Sequence, residues 1–364
     1  MGADLVIIGG GPAGLATAIC ARQQGLSVVL VENRALPLDK ACGEGVMPAG
    51  VVALRRMGVD IPADARAAFR GIRYIDGNAV AEGRFAHGVG WGIRRTALVE
   101  SLAARARALG ADLRYQCAAG HWRNTAEGIL LDTESGPVHG SLLVGADGLH
   151  SRVRKLAGLE CRWRGPLRFG LRRHFVLPPW SSFVEVYWGD GAEAYITPAG
   201  PERVAVAFLW SGGRRNFDEL LAAFPLLGQR LAGARAETPA RGAGPFRQGV
   251  SQRYAERIAL VGDAAGHLDP ITGEGLTLAF DCARLLVDTV VRHRPLVAYE
   301  AAYRQLSLRH FQVTRVILAL ARSPVLRKAT ISVLSRSPHL FGKLLDLAIR
   351  RQGNRLHDGD QVAG

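Results

Sequence analysis

The chain has 364 residues, 48% of them apolar and 21% charged, and a formal net charge of +14. That composition suits a soluble globular protein long enough for two lobes. It excludes a membrane span: the longest uncharged run, Leu5 to Ala21, is interrupted by Gly9-Gly10-Gly11-Pro12, whereas a spanning helix needs about 20 mostly apolar residues. Only Lys40, Lys155, Lys328 and Lys343 are lysines, so the positive charge is nearly all arginine. With abundant Ala and Gly it reads as genomic base bias, and no nucleic-acid partner is expected. Five widely spaced cysteines without a CxxC pair argue for reduced thiols in a cytoplasmic protein, with no disulfide framework and no metal site. No basic segment precedes the strand-like "DLVIIGG", so no signal peptide is expected.

In chain order the opening reads as a strand (Asp4 to Ile8), a glycine-rich turn, a helix from Ala13 to Gln24 and a strand ending at Glu32. "GGGPAG" fits G-x-G-x-x-G. Gly9 permits the tight turn, Gly11 lets backbone approach a pyrophosphate, Gly14 allows close helix packing, and the helix start at Ala13 faces the anion. Glu32 is spaced to accept hydrogen bonds from a ribose diol. A strand-like "GIRYID" begins at Gly71, and "RRTALVESLAARARALG" places Leu98, Leu102, Ala106 and Leu109 on one helix face, ended by Gly110. From Leu167 to about Leu209, alternating patches such as "RVAVAFLW" predict an antiparallel sheet. "RIALVGDAAG" returns to a buried strand, and helices punctuated by Pro324 and Pro338 finish the chain.

Two later segments sharpen the dinucleotide reading. "VGADGLHSRVRKLAG", with Asp147 and Gly148, resembles the GADGxxSxxR fingerprint of FAD-dependent monooxygenases related to p-hydroxybenzoate hydroxylase. "VGDAAGHLDPITGEG" resembles the GD fingerprint of that superfamily, which implies that Asp263 holds the flavin ribityl chain. "WGIRRTALVESL" resembles its R-x-x-L helix start, with Arg95 as the match and Arg94 its neighbour. Pro270, Gly273 and Gly275 would turn the chain so that backbone N–H groups and the positive end of the next helix face the flavin. Asp269 and Glu274 read as solvated loop acids.

The resemblance implies an α/β fold. A discontinuous Rossmann-like FAD-binding lobe would comprise 1–70, 92–165 and 250–290. An antiparallel β-sheet substrate lobe would be inserted at 71–91 and 166–249, and C-terminal helices would occupy 291–364. FAD is the implied cofactor. There is no second GxGxxG, and the resemblance implies either NAD(P)H as electron donor, docking transiently on the flavin lobe, or reduction by a partner; NADH and NADPH both remain open.

The stretch "KACGEG" resembles the Cys-Gly-Glu segment that geranylgeranyl reductases carry beside the ring, and "AYITPAG" (Tyr195, Pro198, Gly200) matches part of their Y-x-W-x-F-P element, without its aromatics. The halogenase W-x-W-x-I-P stretch is absent. Candidate catalytic residues are Cys42, placed to touch flavin or substrate; Glu44, as a positioner; and His267, as a proton relay. Two readings follow, the first preferred and the second its alternative. One is a monooxygenase that uses O2, through a flavin hydroperoxide, to hydroxylate a small apolar aromatic or polyketide-like substrate. The other is a reductase of C=C bonds in a prenyl-like lipid. In the tail, 13 Lys/Arg between Val291 and Arg355 face only Glu300 and Asp346. These helices either pack on the sheet lobe with solvated arginines or make a peripheral contact with anionic membrane. Oligomeric state is open.

Overall fold

The computed structural model describes residues 2–161 and 166–349. Part of the tail assigned to 291–364, with Arg350, Arg351 and Arg355, and the few residues up to 165 in the first lobe lie outside the described residues.

Ala3–Ile8, apolar apart from Asp4 near its start, sits at the middle of a parallel sheet. Val28–Glu32 flanks it on one side and Val138–Gly145 on the other. Asp112–Tyr115 extends the sheet beyond the former and Ile258–Leu260 beyond the latter, both in parallel register. Leu5, Ile7, Leu30, Leu143 and Leu260 are wholly buried, as expected where helices cover both faces of a parallel sheet. Helix Pro12–Gln23, started by Pro12 in its first turn, packs against Arg95–Ala108 and Gly275–Val291. One lobe is therefore assembled from the start, the middle and a late return of the chain.

The second large sheet runs Arg168–Val176, Arg203–Ser211, Ala192–Gly200, Val184–Trp188, Gly71–Asp76, Ala79–Arg84. The expected antiparallel order holds with one exception: Val184–Trp188 lies parallel to Gly71–Asp76, a strand from far earlier in the chain. Alternation is also weaker than the sequence suggests, because Val184–Trp188 is buried on both faces. Helices Phe217–Ala222 and Pro225–Leu231 cover one side through Phe208, Phe217 and Phe224, the first two packed edge to face with centroids 5.0 Å apart.

A small antiparallel sheet of Gly45–Val46, Gly90–Ile93 and Arg66–Phe69 bridges the lobes; the 91/92 division read from the sequence falls inside its central strand. Leu296–Arg322, Pro324–Arg336 and Pro338–Ile349 complete the fold, the last two beginning at Pro324 and Pro338. Arg327 is buried and pins its helix to the sheet lobe through Asp76 (2.8 Å) and Asp190 (3.0 Å). Among the described residues no helix is long and apolar enough to cross a membrane.

Candidate functional site

A cavity of about 1110 Å³ lies between the two large sheets. At one end is the first turn. Gly9 has φ +114°, and a Cβ there would meet the Ala146 carbonyl oxygen at 2.5 Å; a Cβ on Gly14 would stand 2.0 Å from the Gly9 carbonyl oxygen. These two glycines allow turn and helix to cross in contact. Gly11 differs: nothing lies within 4 Å of its Cβ position, and it lines the cavity with Ala13. No side chain caps the helix that starts there, so its N-terminal dipole is presented to the cavity, as a pyrophosphate requires. Glu32 holds this loop, accepting from Gly10 N–H at 2.8 Å and Arg34 N–H at 3.0 Å.

Asp147 accepts from the Ser151 hydroxyl and from Val153 N–H (3.0 Å), so it caps the short helix Arg152–Leu156 while lining the cavity beside Gly148. The arginine of this segment has a clear role: Arg154, wholly buried, donates to the carbonyls of Leu149 (2.9 Å) and Ala264 (3.2 Å) and to Gln248 Oε1 (3.0 Å). It ties the Asp147 loop to the Asp263 loop across more than a hundred residues of chain.

Asp263 lies half-buried on the cavity wall with His267 Nδ1 3.1 Å from its Oδ1. Burial alone would raise the Asp263 carboxyl, but the charge and hydrogen bond of His267, with Lys40 and Arg95 beyond, hold it well below the usual carboxylate range. For His267 burial disfavours the charged form, and Asp263 more than compensates, so its pKa is raised. Pro270 opens a short turn that ends at Gly273 in the left-handed region (φ +68°), and Gly275 begins helix Gly275–Val291. All three line the cavity.

Two acids of this loop are not solvated, contrary to the sequence reading. Asp269 is 4% exposed and forms an ion pair with Arg168, its Oδ2 2.8 Å from Nε. Arg168 in turn pairs with buried Glu193 at 2.8 Å. Burial raises the pKa of both carboxyls despite the arginine between them. Glu274 is buried against His310 (3.2 Å) on the long helix.

Cys42 and Glu44 line the same cavity. Cys42 Sγ accepts from Glu44 N–H at 3.3 Å and is 3.7 Å from Arg95 Nη1. Glu44, 1% exposed and at φ +60°, accepts from Arg95 N–H at 3.0 Å and lies 2.7 Å from His174 Nε2. His174 Nδ1 faces Arg172 Nη1 at 3.0 Å. A guanidinium only donates, so Nδ1 accepts and Nε2 carries the proton given to Glu44. Arg172 reaches Asp39, which also binds Arg241 at 2.7 Å, and Thr197 Oγ1 donates to the Gly43 carbonyl at 2.8 Å. The Cys-Gly-Glu loop is thus fastened to the sheet lobe by His174, Arg172 and Thr197, none of which the motifs single out.

The far end of the cavity is apolar, walled by Phe69, Tyr74, Val186, Trp188, Tyr195 and Leu209 and closed by Ile317 and Leu345 from the C-terminal helices. Burial pushes the Tyr74 phenol up to about 12 and holds that of Tyr195 well above its ordinary value, so both are neutral. Tyr195 donates to the Ile271 carbonyl at 3.2 Å. Pro198 and Gly200 are not part of this wall; the Pro198 carbonyl packs on Gly92. Pockets for one small ligand run about 300–1,000 Å³, so a cavity of about 1110 Å³ is large enough for an extended dinucleotide. The open face at Gly11, the uncapped helix start and the Asp263 loop fit such a cofactor.

Residues 2–210 match the family profile described as "FAD binding domain". A menaquinone reductase of Mycolicibacterium smegmatis is 27% identical, with 98% of this chain and 93% of that protein aligned. A digeranylgeranylglycerophospholipid reductase of Methanopyrus kandleri is 26% identical over 78% of this chain and 75% of its own length. Among solved structures, a flavoprotein/dehydrogenase from Cytophaga hutchinsonii superposes with a TM-score of 0.83 at 17% identity, covering 95% of this chain and 92% of that one.

Proposed function

This chain belongs to the FAD-binding-domain family and is an FAD-dependent oxidoreductase, and from that premise we propose that it saturates a C=C bond in the prenyl-like chain of an apolar lipid. One observation carries the reading: the cavity continues from the dinucleotide cradle, past Cys42-Gly43-Glu44, into an apolar chamber between the second sheet and the C-terminal helices. The names of the two reductases above, one for menaquinone and one for a prenylated phospholipid, support it.

Reduced flavin, when bound, supplies the hydride. The chain's own residues bind and orient. Gly9 to Ala13 would hold the phosphates, Glu32 the ribose and Asp263 the ribityl chain. The start of helix Gly275–Val291 would offset negative charge on the ring. Glu44, held by His174 and Arg95 N–H, keeps Cys42 at the cavity wall beside the junction with the apolar chamber, and the Asp263–His267 pair supplies a proton to the same cavity. Trp188, Tyr74 and Val186 exclude water from the substrate. A nicotinamide donor would dock transiently at the dinucleotide end.

The deciding experiment is turnover of dithionite-reduced, flavin-loaded protein with a prenyl quinone under anaerobic conditions, read by mass spectrometry. A product that is still heavier by two hydrogens after its head group has been reoxidised to the quinone, with the added pair located in the prenyl chain by fragmentation and its formation independent of oxygen, is expected. Oxygen consumption coupled to a hydroxylated product, with nothing formed anaerobically, would replace this reading with the monooxygenase one.

A further inference from the structure

We propose that the outward faces of helices Pro324–Arg336 and Pro338–Ile349 form a docking surface for an anionic lipid bilayer. The proposal rests on the prenyl-lipid reading only for its purpose, delivery of a membrane-dissolved substrate.

Both helices are already seated by their inward faces. Arg327, Ile331 and Leu334 bury one, and Phe341 with Leu345 buries the other. Their outward faces are apolar again. Val325, Leu326 and Val333 are exposed on the first, Val325 to 78%, and Leu340, Leu344 and Leu347 stand at i, i+4 and i+7 on the second. Among the described residues, none of these six side chains belongs to a buried hydrophobic cluster. Lys328, Arg336 and Lys343 lie exposed among them. Asp346 is the sole acid between Pro324 and Ile349, and it accepts a hydrogen bond from Ala86 N–H at 3.1 Å.

Large aliphatics flanked by unopposed basic residues on a helix face are the pattern of an element lying in the lipid headgroup plane: the apolar row enters the acyl boundary and the cations meet phosphate. A second copy of the chain suits this face badly. A two-fold contact would set Lys328, Arg336 and Lys343 against their own counterparts. The last helix also connects the surface to the chemistry, because Leu345 and Ala348 line the cavity while Leu344 and Leu347, on the adjoining stripe, are exposed. An apolar chain leaving the bilayer would therefore pass along one helix to reach the chamber.

The test is co-sedimentation of the flavin-loaded full chain with vesicles of phosphatidylcholine alone and of phosphatidylcholine mixed with phosphatidylglycerol, with molecular mass in solution measured alongside. Binding should require phosphatidylglycerol and weaken with salt. The variants Leu340→Ser/Leu344→Ser/Leu347→Ser and Lys328→Gln/Arg336→Gln/Lys343→Gln should each bind at least about tenfold more weakly, with the flavin spectrum and circular dichroism unchanged. Absence of binding at every lipid composition, or binding that neither variant disturbs, overturns the proposal. So does a dimer that the leucine variant dissociates while vesicles are ignored. Vesicle binding without saturation of any prenyl substrate would leave the surface standing and remove only the reductase reading.

Discussion

His174 Nε2 lies 2.7 Å from Glu44 Oε2, and neither side chain reaches solvent. This contact joins the Cys-Gly-Glu loop to a strand of the second sheet 130 residues later. His174→Ala would leave a buried carboxylate with only Arg95 N–H at 3.0 Å and the Arg172 guanidinium at 3.9 Å beside Oε1, and Oε2 without its hydrogen bond, a loss of roughly 3 kcal/mol for an unsatisfied charged group. His174→Gln, which can place an amide donor near the position of Nε2, should recover most of it. Urea midpoints of the three proteins check this. A His174→Ala midpoint equal to that of the parent would show that Glu44 is not held as described.

Gly14 and Gly11 share one motif but should fail differently. Alanine at Gly14 strikes the Gly9 carbonyl oxygen, and overpacking of that kind costs about 1–3 kcal/mol, so the folded chain itself should be destabilised. Alanine at Gly11 meets open space and should fold with a loss below about 1 kcal/mol. Its methyl would nevertheless project into the space where the pyrophosphate would be held, and FAD affinity should drop tenfold or more, by about 1.4 kcal/mol or beyond. Flavin titration of the two folded variants separates the effects; undiminished affinity in Gly11→Ala would move the phosphates elsewhere.

The parts of this site that were legible in the sequence are those where backbone geometry restricts residue type locally. Gly9, Gly11, Glu32 and Gly148 mark turns or strand ends whose chemistry spans a few residues, and the fold class follows once three such segments occur in order. Partners brought together by topology leave no comparable mark. Asp269 and Glu274 look like loop acids because Arg168 and His310, which bury them, sit on other elements. His174 is a lone histidine in a strand pattern. One signal was present: Arg168, Arg172 and His174 fall on the same alternating row, and that row faces inward. An inward polar row on a strand demands buried partners, and a period-two count would have singled it out. The parallel pairing of Gly71–Asp76 with Val184–Trp188 is likewise a tertiary decision that local propensity does not contain.

Arg168 stands between two buried carboxylates, Glu193 and Asp269, which clamps the Asp263 loop to the second sheet. Two acids share one guanidinium, so the members are not equivalent. Arg168→Met would leave both acids buried without a counter-charge, and breaking a buried pair in this way costs about 3–5 kcal/mol. Asp269→Asn removes the surplus charge and retains an acceptor for Ile271 N–H, now at 3.1 Å; its stability should stay within about 1 kcal/mol of the parent. Chemical denaturation of both variants tests the asymmetry, which fails if Asp269→Asn is the more damaging change.

The Asp263–His267 pair makes the stability of the flavin-free chain depend on pH in a defined direction. His267 binds its proton more tightly when folded than the ordinary value of about 6.5. Its contribution is therefore complete below that value and disappears as pH rises through the raised one. Asp263 is shifted the opposite way, so its contribution is present above the ordinary carboxylate value of about 3.9 and disappears only as pH falls through its lowered folded value. Between these limits the pair is charged on both sides and holds the loop closed. Above about pH 6.5 the urea midpoint of the flavin-free protein should decline with a slope set by one proton, since the folded state retains a proton the unfolded chain has released. His267→Gln keeps a hydrogen-bond donor near Asp263 but cannot titrate, and its midpoint should be flat over the same range. Parallel decline of parent and variant would assign the pH dependence to other groups and leave His267 neutral at the cavity wall.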